Sequence, residues 1–126
     1  MLKKSSIQNV SLQWHDQGAG PCLLLLHGFT ESHRCWLPAA GALAGQYRVL
    51  VPDLPGSGGS SLLAQGSADV AATATLLLDW LSSLQIDRCV VVGHSMGGYV
   101  ALEMLAQAPA RLKGIGLFHS HPLGDD

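Results

Sequence analysis

Gly93-His94-Ser95-Met96-Gly97-Gly98 carries the most specific chemical signal in the chain. G-x-S-x-G is the spacing of a nucleophile elbow, where a strand turns into a helix so tightly that the serine takes a strained backbone conformation. Bulk at the first or last position would strike the neighbouring strand or helix, so both are glycine. The turn lifts the serine hydroxyl clear of the sheet and sets it at a helix N-terminus, where N–H groups and the helix dipole favour developing negative charge. Ser95 is therefore the candidate nucleophile for attack on a carbonyl. A glycine-rich turn with a solvated serine is the plainer reading, but it leaves His27-Gly28-Phe29 unexplained. An oxyanion hole needs two converging backbone donors. The N–H of Met96 supplies one and that of Phe29 the other, with Gly28 allowing close approach to the bound substrate. His27 precedes the glycine turn and is expected to orient the loop by hydrogen bonding rather than to act as a base.

These residues need strand ends to hold them, and the apolar pattern provides such ends. Val10 to His15 alternates as a half-buried strand, and Asp16 to Pro21 is a turn cluster. Cys22 to His27, Tyr47 to Pro52, Cys89 to Val92 and Leu112 to Phe118 read as strands, the first a continuous apolar run of the kind covered on both faces. Helices are expected over Glu31 to Gln46 with Ser32 as N-cap, over about Ala68 to Leu84, and over Ser95 to Gln107, where Pro109 stops the last. Strands alternating with helices give an α/β fold, a mostly parallel sheet with helices on both faces, whose sites lie beyond the carboxyl ends of the strands.

The chain has 126 residues, 48% of them hydrophobic and 13% charged, with a net charge of −2. That makes one ordered domain, 1–126, rather than a disordered segment. The near-neutral balance carries no footprint for nucleic acid or an anionic membrane. The longest apolar run, Cys22 to Leu26, is far below the ~20 residues of a membrane span, and the first residues lack a secretory apolar core. A cytoplasmic location follows as an expectation. Cys22, Cys35 and Cys89 have no metal or disulfide spacing and are expected to be small buried thiols. No metal site and no cofactor are expected, since neither a ligand cluster nor a phosphate-binding glycine loop is present.

Leu23 to Phe29, Val51-Pro-Asp53-Leu-Pro-Gly56-Ser-Gly58-Gly59-Ser60 and Val92 to Gly98 together resemble the α/β-hydrolase superfamily. Within it they look like the small, lidded carboxylesterase and C–C-bond hydrolase group, which acts on monomeric esters and related acyl compounds. The resemblance implies Ser95 as nucleophile, Phe29 and Met96 as oxyanion donors, and Gly28, Phe29, Met96 and His119 against a small ester or acyl substrate. Asp53 is read as structural. His15 and His33 are read as surface loop residues, and His94 gains no separate role. Trp36, Leu62, Met96 and Tyr99 are candidate substrate contacts for which core packing is the default.

Members of the family carry an acid and then a histidine well downstream of the serine. Here the chain reaches Asp126 just past what would be the sixth family strand, so it is read as the amino-terminal portion of a longer domain, with the acid and base absent from it. Leu112 to Phe118 would then be an exposed apolar edge, open to a second chain or to self-association. An in-chain alternative is Ser95–His121–Asp125, whose order of serine, histidine and acid departs from the family. The other reading makes the His119 segment the start of a cap. Two functions stand side by side: a serine hydrolase working through an acyl-enzyme, and a non-catalytic module or inactive fragment of the same fold. Acyl transfer or perhydrolysis on the same serine is not separable from hydrolysis by these motifs.

Overall fold

The computed structural model describes residues 1–63 and 69–118. Six strands form one sheet: β1 (Leu2–Ile7), β2 (Val10–Gln17), β3 (Cys22–Leu26), β4 (Arg48–Pro52), β5 (Cys89–His94) and β6 (Leu112–Phe118). Their order is β1-β2-β4-β3-β5-β6, with β1 and β2 antiparallel and the other four parallel. Three helices accompany them: α1 (Leu37–Leu43), α2 (Val70–Ser83) and α3 (Met96–Gln107).

Alternation along the central strands explains the layering. Leu24, Leu26, Leu50 and Val91 point to one face, where Leu77, Trp80 and Leu81 of α2 and Val100, Ala101 and Met104 of α3 cover them. Leu23, Leu25, Val49 and Val51 point to the other, where Ala40 and Leu43 of α1 pack. Strands covered on both sides have no polar face to show, which is why β3 reads as unbroken leucine. The Trp14 and Trp80 rings meet edge to face at 5.3 Å and pin β2 to α2. Asp69 caps α2 by accepting the Ala72 N–H.

The expected α/β architecture is borne out, and four local readings change. β1 has no apolar alternation and is almost wholly exposed; it forms because the two-residue turn Gln8-Asn9, both at positive φ, folds it back onto β2 in register Ile7↔Val10. β2 runs on to Gln17, since Asp16 is held by a bidentate Arg48 from neighbouring β4, and by Lys3 and Trp14. Burial alone would raise the Asp16 carboxyl, but these donors outweigh it and hold it at about 2. The single helix expected from Glu31 is instead a 3-10 turn, His33–Trp36, followed by α1. Pro38 has no N–H to give to the preceding turn, so it sits where an α-helix starts rather than inside one. Ser32 does cap, but it caps the 3-10 turn. The thiols divide: Cys22 and Cys89 are buried, whereas Cys35 is exposed.

β6 is the outer strand of the described sheet on its side, with Leu117 and Phe118 about half exposed. Among the described residues, no helix is long and apolar enough to cross a membrane.

Leu24 is fully buried between the sheet and the α2–α3 layer. Leu24→Ala is expected to cost about 2–5 kcal/mol in urea unfolding. Leu102→Ala, on the exposed side of α3, should stay within about 0.5 kcal/mol of the parent.

Candidate active site

The exits of β3, β4 and β5 bring their loops together at the carboxyl edge of the parallel strands. β5 ends at His94, and Ser95 follows at φ 57° and ψ −118°, a left-handed conformation costly for a serine. Two close approaches hold it there. A Cβ on Gly93 would stand 2.2 Å from the Gly97 carbonyl oxygen, and a Cβ on Gly97 would stand 2.5 Å from that of Leu26. Only glycine fits at either place, so the first turn of α3 lies against β3 and Ser95 is carried to its N-terminus, half-buried. Met96 heads α3, where its N–H has no acceptor within the helix.

Gly28 is the point where the β3 loop touches the elbow. A Cβ there would lie 3.1 Å from the Ser95 Cβ and 3.1 Å from the His94 Nδ1. Phe29 follows, with 70% of its surface exposed, and no acceptor engages its N–H among the described residues. Ser95, Gly28, Phe29 and Met96 are thus brought together at one place. His119, His121 and Asp125 lie outside the described residues.

His27 is fully buried and links two loops. Leu54 donates its N–H to Nε2 at 2.9 Å, which leaves the proton on Nδ1, 2.7 Å from the Gly28 carbonyl oxygen it donates to. The imidazole is therefore a neutral bridge that fixes the glycine turn. Burial pushes its pKa below the ordinary value, against the pull of that bond to Gly28.

Asp53 is also fully buried and acts as a hub. Its Oδ1 accepts the His33 N–H at 2.7 Å and the His33 Nδ1 at 2.8 Å. Its Oδ2 accepts Gln13 Nε2 at 2.9 Å and the Gly59 N–H at 3.0 Å. Burial alone would raise the carboxyl, but these donors hold it below the usual carboxylate range. The glycine-rich loop wraps the carboxylate so closely that a Cβ on Gly58 would fall 2.4 Å from its Cγ. Asp53 is thus fully engaged in holding its loop. His33 is not a surface residue: it is buried, and its ring closes this network. It opens the 3-10 turn, directly after the Ser32 cap, and from there its ring reaches Asp53.

Beside the elbow, a hollow of about 340 Å³ is lined by Phe29, Leu62 and Met96 together with Thr30, Pro55, Gly56 and Ser57, none of them charged. Leu62 is 62% exposed and Tyr99 44%, so neither belongs to the core. Glu31, Cys35, Trp36, His94 and Phe118 line a second, open hollow of about 220 Å³. Sequence reasoning passed over Glu31, because an acid at the start of an expected helix is unremarked there. Among the described residues, no cluster of His, Cys, Asp and Glu could hold a metal ion.

A family model described as alpha/beta hydrolase fold matches residues 21–123. The chain is 34% identical over 105 residues to the pimeloyl-[acyl-carrier protein] methyl ester esterase of Aeromonas hydrophila, covering 83% of this chain and 40% of that protein. It is 35% identical over 108 residues to an epoxide hydrolase of Caballeronia sordidicola, covering 84% of this chain and 33% of that protein. The crystal structure of a membrane phospholipase A, a bacterial virulence factor, superposes with a TM-score of 0.89 at 31% identity, over 93% of this chain and 38% of that one. The chain therefore spans well under half the length of the relatives it matches.

Because folding keeps His27 neutral, the unfolded chain takes up its proton first. Stability to urea is expected to be full above pH 6.5, the ordinary histidine value, and to decline as pH falls below it. His27→Gln can make both hydrogen bonds without titrating and should flatten that decline below pH 6.5.

Proposed function

This chain belongs to the alpha/beta hydrolase fold family, and on that premise we propose that it carries the nucleophile half of a serine hydrolase acting on small carboxylic esters or related acyl compounds. The observation that carries the reading is Ser95 at positive φ at the head of α3, with the Gly28 backbone against it. Ser95 attacks the acyl carbonyl, the oxyanion is received by the N–H groups of Phe29 and Met96, the alcohol leaves, and water releases the acid from the acyl-enzyme. Similarity to an esterase and to an epoxide hydrolase supports hydrolysis as the coarse activity. The uncharged hollow between Phe29, Leu62 and Met96 favours an apolar acyl group over a charged one.

A serine hydroxyl needs a base to take its proton. No side chain among the described residues forms a hydrogen bond with the Ser95 hydroxyl. The acid and base are assigned to sequence beyond the described residues, with His121 and Asp125 the in-chain candidates and a longer or second chain the other source. The outer edge of β6, the last strand of the described sheet on that side, is the place where such added structure would pair, whether a second chain or another copy of this one. The second reading, a binding module of the same fold, draws on the same absence, among the described residues, of a side chain bonded to the Ser95 hydroxyl.

The test uses this chain together with any sequence that follows it in its gene. Fluorophosphonate labelling at Ser95 and turnover of short p-nitrophenyl esters are expected, with Ser95→Ala abolishing the label and lowering turnover by at least about 1,000-fold. A folded protein that neither labels nor turns over ester, yet binds an apolar ligand, would establish the binding module instead.

A further inference from the structure

The two amide donors assigned to the oxyanion come from different loops, one after β3 and one after β5. Their spacing is set by whatever joins those loops. One carboxylate oxygen does so. Glu31 Oε1 accepts the Gly28 N–H at 2.9 Å and lies 3.2 Å from His94 Nδ1. Gly28 immediately precedes Phe29, and His94 stands two residues before Met96. The geometry points to Glu31 as a positioning residue that clamps the β3 loop to the elbow and so fixes the distance between the two donors; this rests on the reading of Ser95 as nucleophile.

The local backbone supports the assignment. The Glu31 N–H returns to the Gly28 carbonyl at 3.2 Å, closing a tight turn over residues 28–31. Thr30 inside that turn sits at φ 64°, a left-handed conformation that a threonine does not hold unaided. The side chain of Glu31 therefore caps from below the same turn that its backbone closes. The carboxylate also occupies the space a Gly28 side chain would need, 2.9 Å from the position of its Cβ. The Gly28 N–H holds the Glu31 carboxyl below its ordinary value, with His94 adding to the effect, so the acceptor is ionised throughout the neutral range.

A negative charge this close to a developing oxyanion opposes it electrostatically, so the contribution of Glu31 is geometric. Glu31→Gln keeps an oxygen for the Gly28 N–H and removes the charge, whereas Glu31→Ala removes both. The variants separate geometry from charge.

On this chain together with any sequence that follows it in its gene, the experiment measures kcat and KM for a short p-nitrophenyl ester and the proton NMR shift of the Gly28 amide. A misplaced donor acts mainly in the transition state, and small displacements reach about 100-fold in rate. Glu31→Ala should lower kcat by about 10- to 100-fold with KM within about twofold, and move the Gly28 amide upfield. Glu31→Gln should stay within about threefold of the parent and keep most of the amide shift. Should Glu31→Ala fail to fold, Glu31→Met, which keeps the stem, takes its place. An unchanged kcat in the Ala or Met variant, or a Gln variant that falls as far as either, overturns the inference alone. A parent protein inert to ester and fluorophosphonate overturns the Ser95 reading and this inference with it.

Discussion

The first turn of α3 lies on the backbone of β3 with no side chain between them. Gly97 makes this possible, because any Cβ there would meet the Leu26 and His27 carbonyls at 2.5 and 2.7 Å. The approach draws the helix so close to the sheet that β5 must reverse within a residue, and that residue is Ser95, at φ 57°. Gly93 removes the second clash, against the Gly97 carbonyl itself. The conformational strain on one serine is thus maintained by packing of a whole helix, whose buried Val100, Ala101 and Met104 anchor it to the core. The helix N-terminus then faces the same point in space as the end of β3.

Around that contact, the loops are held by buried polar groups that bond to backbone. His27 spans from the Gly28 carbonyl to the Leu54 N–H, so the exits of β3 and β4 are one unit. Asp53 gathers the His33 turn, the Gly59 loop and Gln13 of β2 on one carboxylate. Both side chains are fully buried, and burial disfavours the charged form of each. Donors overcome that for Asp53, which stays ionised. His27 meets one donor and one acceptor and stays neutral. Glu31 completes the set on the other side of Gly28, more exposed and nearer the elbow. A rigid scaffold with polar clamps at its strand ends suits the role proposed for the Phe29 and Met96 amides, which needs donors held still.

Much of this was legible in residue order. The leucine run of β3 announced a doubly covered strand, and G-x-S-x-G between an apolar strand and a helical pattern announced the elbow. The role of His27 as a loop bridge, rather than a base, was also readable from its place before the glycine. Other features were not. β1 is a row of polar, exposed residues, formed by a turn at Gln8-Asn9 and by pairing with β2 rather than by burial. His33 reads as a surface loop residue because its partner, Asp53, lies 20 positions away and nothing beside it in the sequence marks it for burial. Pro38 delays α1, the preceding turn tightens, and the ring is directed to Asp53.

The sequence by itself determined the order of strands and helices from β2 onward, the two faces of the sheet, and the glycines that permit the elbow, because those depend on periodicity and on the size of single side chains. Only the tertiary structure decided which groups meet across loops. Glu31 and His94 are 63 positions apart, and Gln13 and Asp53 are 40 apart. No local pattern encodes such pairs. They exist because β2, β3, β4 and β5 lie side by side and deliver their ends to one edge, where a single carboxylate oxygen can reach two loops at once.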